Sequence, residues 1–253
     1  MEQALKAQPG WRLPVLLLLV FGPLLALLFV YGKPIPQDPG YHVFADIRTC
    51  LGLQNFGNVA SNLLFLAAGA IGMAWCYRNP GTTARLSWFV FFLGVALVFF
   101  GSGYYHRAPD DDSLVWDRLP MTIAFMGILA ALLAEHISVR HEKAVLMAAL
   151  AVGVASVFIW KATNDLSVYI WVQATPLLVI PYVIAVYPGR YTHRHYLLYG
   201  VGFYALAKIA ELLDYWIYDA TLTAISGHSL KHMLAAAAPF CVYLMLKRRT
   251  IKP

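Results

Sequence analysis

Residues 86–106 read LSWFVFFLGVALVFFGSGYYH, twenty residues without a formal charge, closed by His106. A helix needs about 20 apolar residues to cross a hydrocarbon core about 30 Å thick. The same pattern recurs at residues 11–31, 58–77, 119–136, 144–160, 168–187, 196–213 and 229–246. Proline and glycine punctuate the gaps, as in Asn79-Pro80-Gly81, Pro188-Gly189 and the stretch from Pro34 to Gly40. The expected fold is therefore all-α, a polytopic transmembrane helix bundle of eight helices. Pro176 and Pro181 fall inside the sixth run and are expected to kink it, which membrane helices tolerate.

Composition agrees with that reading. The chain is 60% hydrophobic and only 13% charged, whereas a soluble domain carries about a quarter charged residues. The run at 11–31 is longer than a signal-peptide core of about 7–15 residues. The Lys33-Pro34-Ile35-Pro36 that follows offers no small-residue cleavage site. A retained first helix is expected, dividing the chain into residues 1–57, a helix with its connecting loop, and residues 58–253, the main membrane domain. The formal charge of +6 is not gathered into a basic patch interleaved with aromatics, which argues against nucleic acid as a partner. Cys50, Cys76 and Cys241 have no CxxC spacing and read as structural filler.

Eight crossings put both termini on one side. That side collects twelve Lys and Arg, from Lys6 through Lys252, against seven on the other, and the excess predicts cytoplasmic termini. The same topology places His106, Asp117, Glu211, Asp214, His228 and His232 at helix ends on the opposite, non-cytoplasmic face, together with Asn58 and Asn62. Ionisable groups at membrane depth are costly and mark functional sites. His228 and His232 are four apart, one turn up a single helix face. With His106 they suggest a metal site, zinc by preference, with one coordination position open. Ser102 lies one turn before His106 on the same face. Asp117 reads either as a first-turn helix acid favoured by the dipole, with Pro120 in the first turn, or as a carboxylate that accepts a proton beside the metal. Lys208, Glu211 and Asp214 repeat every three residues and form one stripe, either an ion-pair network with Lys161 or Lys231 or a group that orients the histidines. Asp110 to Asp112 read as a solvated loop or cap. Tyr104, Tyr105, Trp116, Trp160 and Trp171 read as an interfacial aromatic belt.

Four motifs in order carry a resemblance: Asn58-Val59-Ala60-Ser61-Asn62, Gly101-Ser102-x3-His106, Asp117-Arg118-Leu119-Pro120-Met121 and His228-x3-His232. Together they resemble the alkaline ceramidase family, part of the CREST superfamily of seven-helix membrane hydrolases, and the chain reads as a bacterial-type member. The resemblance runs from about residue 58 to 246 and implies a seven-helix CREST-like core plus one additional N-terminal helix. It implies one zinc ion held by His106, His228 and His232, with Asp117 and Ser102 beside the water that the zinc activates. It also implies hydrolysis of the amide bond of a ceramide-like membrane lipid to an amine and a fatty acid. The acidic Asp-Trp-x-Glu segment by which eukaryotic members bind calcium is missing from residues 47–55, so calcium is not expected. The Lys208, Glu211, Asp214 stripe is outside the family pattern, and an ester or another N-acyl lipid satisfies the same residues.

The expected mechanism is metal-assisted hydrolysis, with Asp117 as proton acceptor, Ser102 facing the oxyanion, and a lipid-facing gap that admits the acyl chain. Two other classes compete with it. A receptor-like or structural membrane protein would use a non-catalytic zinc, which requires a fourth protein ligand. A proton-coupled transporter would place its charges at mid-helix rather than at one end.

Overall fold

The computed structural model describes residues 9–252. Lys6, one of the twelve charges on the terminal side, lies outside them. The helices in chain order are α1 (Arg12–Leu25, continued by a wider turn Ala26–Tyr31), α2 (Phe56–Arg78, slackened at Asn62) and α3 (Arg85–Arg107). They are followed by α4 (Asp111–His136), α5 (Glu142–Thr163), α6 (Ser167–Val186), α7 (Tyr196–Leu212), α8 (Asp214–Ala220) and α9 (Gly227–Arg248). There is no strand among the described residues beyond two isolated bridges. Seven helices are long and apolar enough to cross a membrane, and the chain is a multi-pass membrane protein.

The seventh expected run, residues 196–213, is not among those seven. α7 stops at Leu212 and the chain turns by 81° into α8. α7 nevertheless joins the two ends of α9. At its start the Thr192 amide donates to the Thr250 carbonyl (3.0 Å). Beyond its end, Asp214 Oδ1 accepts from the His228 amide (2.7 Å). α9 has 22 residues, about 33 Å at 1.5 Å per residue, so α7 and its bend traverse the same thickness.

One helix start differs markedly from expectation. α4 begins at Asp111, well before the expected 119. Asp110 is its N-cap, accepting from the Ser113 amide (2.6 Å) while Ser113 Oγ accepts from the Asp110 amide (3.1 Å). That reciprocal box is a strong start signal, but an apolar count misses it because Asp111, Asp112, Asp117 and Arg118 interrupt the run. Asp117 is therefore not a first-turn acid, and Pro120 lies well inside the helix. α3 and α4 approach each other through glycine. A Cβ on Gly94 would sit 2.5 Å from the Ala124 amide nitrogen, and one on Gly101 would overlap the Trp116 carbonyl oxygen. Pro120, four residues on, has no N–H to bind that oxygen, so the carbonyl is left free where Gly101 packs. Small residues are what let membrane helices come this close, and the approach brings His106 and Asp117 to one end of the bundle.

Residues 32–55 fold back over that end. The Ile35 amide donates to Asp165 Oδ1 (3.0 Å), Gln37 N to Asn164 Oδ1 (3.0 Å) and Ala45 N to Asp214 Oδ2 (2.9 Å). These contacts seat Phe44 in the interior, 4% exposed. The opposite end is closed by a buried ion pair between Arg249 and Glu135 (2.7 Å). α1 packs through Leu16 on a cluster with Met126 and Val172. Its outer face, including Leu18 and Phe29, is exposed, as suits contact with lipid.

Candidate metal centre

His106 ends α3, and its backbone carbonyl is held by Asn55 Nδ2 (2.8 Å). His228 and His232 lie in the first two turns of α9, whose N-cap Ser226 accepts from the Ser229 amide (3.0 Å). All three imidazoles are buried, and one ring nitrogen from each lies within 4.8 Å of the others. His106 Nε2 and His228 Nε2 are 3.3 Å apart. Two tetrahedral imidazole ligands at about 2.0–2.1 Å from a metal have their nitrogens about 3.3–3.4 Å apart, so the pair is spaced for one ion. His106 Nδ1, the ring nitrogen away from this group, is buried without a partner among the described residues.

The third histidine is oriented by Ser61. Its hydroxyl donates to the Asn58 carbonyl (3.1 Å) and meets His232 Nδ1 at 2.8 Å. A serine has one proton to give. With a metal on Nε2, Nδ1 carries the hydrogen, and Ser61, its own proton turned to Asn58, accepts it. Metal-bound histidines are commonly held in this way, the ring nitrogen turned from the metal donating to an outer acceptor. Asn58 and Asn62, the two residues expected to serve the site, act one step further out. Asn58 Oδ1 accepts from Ser229 Oγ (2.8 Å), and Asn62 Nδ2 donates to the Asn58 carbonyl (2.7 Å). They join α2 to the start of α9.

Asp117 and Ser102 are both buried and side by side, and with His232 and Lys231 they line one cavity of about 300 Å³. From this polar end the cavity runs between α4, α6, α7 and α9 past Phe91, Ile128, Ile180 and Val242. Ile128 lies eleven residues beyond Asp117 on α4, about 16 Å along the helix. The cavity is thus a long apolar slot with a polar head. His106 and His228 lie behind that head, capped by Phe44 with ring centroids 4.8 Å and 4.6 Å away.

The charged stripe divides at the bend. Glu211 accepts from Lys231 Nζ (2.9 Å) and pairs with Lys208. Asp214, turned away into α8, instead binds the His228 and Ala45 amides. It positions the first turn of α9 and the covering segment at once. Lys161 is not part of this network and pairs with Asp112 (2.6 Å). Lys231 Nζ also lies 2.9 Å from His228 Nε2. An ammonium and a metal cannot share one lone pair, so an ion bound by His228 turns Lys231 toward Glu211 alone.

Of the expected aromatic belt, Tyr104 and Trp116 are exposed, but Tyr105 and Trp160 are 1% exposed. Trp160 lies under the Arg118 guanidinium, 3.9 Å from ring centroid to Cζ, and Tyr105 OH meets His42 Nδ1 (3.0 Å). Cys76 and Cys241 are buried and Cys50 is exposed, all unpaired. Ser61, Phe44 and Arg118 are the site neighbours that sequence reasoning passed over. Ser61 stood inside the quoted asparagine motif, and Arg118 stood next to Asp117. Phe44 has no periodicity to flag it.

No protein-family model matches the chain, and no curated protein matches it. The ceramidase resemblance therefore stands on the motifs of this sequence alone.

Proposed function

We propose that the protein is a zinc-dependent membrane amide hydrolase resembling the alkaline ceramidases, acting on an N-acyl, ceramide-like lipid. The observation that carries this reading is a buried three-histidine ligand set at the polar head of a long apolar slot. Among the described residues no fourth His, Cys, Asp or Glu joins the group. A purely structural zinc is closed by four protein ligands, whereas a catalytic one keeps a position for water or substrate. That difference favours catalysis over the receptor-like alternative.

His106, His228 and His232 would hold the ion, which when bound acidifies water to a pKa of about 7 and polarises a carbonyl. The Asp117 carboxylate takes the proton of the attacking water and returns it to the leaving amine. The Ser102 hydroxyl donates to the carbonyl oxygen as charge develops there. The apolar slot between α4, α6, α7 and α9 excludes water and holds the acyl chain. Cytoplasmic termini, with the site toward the other face, complete the proposal. The test is zinc content together with lipid amidase activity in the wild type and in His106→Ala, His228→Ala and Asp117→Asn. Loss of zinc in both histidine variants, and loss of activity with zinc retained in Asp117→Asn, is the expected pattern. Full zinc occupancy in the histidine variants sinks the ligand assignment.

A further inference from the structure

Arg118 is a buried charge lining this cavity that neither the metal nor the proton transfer uses. Its side chain is 96% buried (4% exposed) and lies 3.9 Å from the ring centroid of Trp160 and 4.6 Å from that of Tyr169. Nη2 donates to Gln37 Oε1 (2.5 Å), and Nη1 is buried with no partner. Among the described residues Arg118 enters no ion pair. A buried guanidinium whose hydrogen-bond partner is a neutral amide, with Asp117 acting on it only through space, is poorly compensated, and such groups persist where something else supplies the counter-charge.

The missing partner can come from the cavity. Arg118 lines it together with Tyr41 and Tyr169. The charged residues lining the cavity are Arg118, Lys208 and Lys231 against Asp117 and Glu211, a surplus of one cation before any metal is counted. Glu211 is shared by the two lysines, and Arg118 is within ion-pair distance of neither carboxylate. A planar guanidinium with free donors matches the two oxygens of a carboxylate.

We infer that Arg118 forms an anion subsite, and that the preferred ligand is an N-acyl amino acid: a long acyl chain in the slot and a carboxylate a few bonds beyond the amide. Asp117 and Arg118 line the same cavity, so one ligand can present its amide to the first and its carboxylate to the second. This inference names the substrate class for the hydrolase reading and rests on it only for where the amide lies.

The test is calorimetric binding to the zinc-loaded full chain in a zwitterionic detergent. It uses two hydrolysis-resistant probes, hexadecylsulfonyl-glycine and hexadecylsulfonyl-ethanolamine, which differ in a carboxylate against a neutral hydroxyl. The wild type binds the glycine probe about tenfold tighter or more, the range for a charge-assisted hydrogen bond. Gln37→Glu places a competing carboxylate on Arg118 without removing it, and brings the two probes to within about threefold. Arg118→Lys, which keeps the charge but loses the fork, does the same, and neither variant weakens the ethanolamine probe. Equal binding of the two probes by the wild type overturns the inference, as does a preference that survives in Gln37→Glu. Hydrolysis of N-palmitoyl-glycine and N-palmitoyl-ethanolamine is assayed in parallel. If neither is cleaved while the binding preference holds, the hydrolase reading fails and the anion subsite stands.

Discussion

Removing the Ser61 hydroxyl isolates what holds the third ligand in register. With a metal on His232 Nε2, that hydroxyl gives its proton to Asn58 O (3.1 Å) and accepts at His232 Nδ1 (2.8 Å). In Ser61→Ala the Nδ1 hydrogen has no acceptor at that position, and the imidazole is free to rotate or to shift its proton to Nε2, the atom the metal needs. Loss of such an outer partner costs 10- to 100-fold in metal affinity, about 1.4 to 2.7 kcal/mol. Burying an unsatisfied N–H costs a comparable about 1–3 kcal/mol, so part of the effect also appears as a lower melting temperature without metal. The measurement is competition for zinc between the purified protein and a chelating dye, across Ser61→Ala, Ser61→Thr and wild type. Ser61→Thr keeps the hydroxyl and recovers most of the affinity. Zinc binding in Ser61→Ala within about twofold of wild type would refute both the tautomer assignment and the role of Ser61.

Three further outcomes follow from the geometry. Asp117→Asn keeps the shape of the polar head but cannot accept a proton, so turnover should fall by about 10²–10⁴ with zinc stoichiometry unchanged; a variant of near-normal activity would remove Asp117 from the chemistry. Gly94→Ala drives a Cβ to 2.5 Å from the Ala124 nitrogen, a backbone atom that cannot swing aside, whereas a Cβ at Gly103 meets nothing within 4 Å. The first should lose about 1–3 kcal/mol in detergent melts and the second should not, so equal melts would contradict the close α3–α4 approach. Asp46 accepts from the Arg48 amide (3.1 Å), Nε (2.8 Å) and Nη2 (2.7 Å), and the Arg48 hydrogen bonds hold its carboxyl below the ordinary 3.8. Its stabilisation is complete above the unfolded value and is lost as pH falls through the lower folded one. Asp46→Asn should therefore cost about 1–2 kcal/mol at neutral pH and converge with wild type in strong acid, and a gap that persists in acid would exclude this origin.

The fold was legible where apolar length alone decides, as at residues 86–106, and less so where charge and packing compete. Polar residues hid the true start of α4, although Asp110 and Ser113 carried a readable cap. The bend at Leu213 had no glycine or proline to announce it. It follows from Asp214 binding two amides that come from distant parts of the chain, a tertiary cause that no local pattern encodes. The three histidines converged as their helix-end positions implied. The orientation of His232 did not follow from spacing, because the responsible serine is 171 residues away. Arg118 was visible as a residue of the Asp-Arg-Leu-Pro-Met motif, but its enclosure by Trp160 and Tyr169 depends on α5 and α6 meeting α4, and an interfacial belt was the simpler reading of those aromatics.

The order of the ligands along the chain bears on how the protein is made. His106 and His228 are separated by 122 residues, and the second and third ligands belong to the last helix. During synthesis the first imidazole is laid down when only three of the membrane helices have formed, and it waits through five more helices for its partners. No chain interrupted before Gly227 holds more than one of the three ligands, so a truncated product cannot sequester the metal. Loading is in this way tied to completion of the bundle, and the ion, once bound, clasps an early helix to the final one.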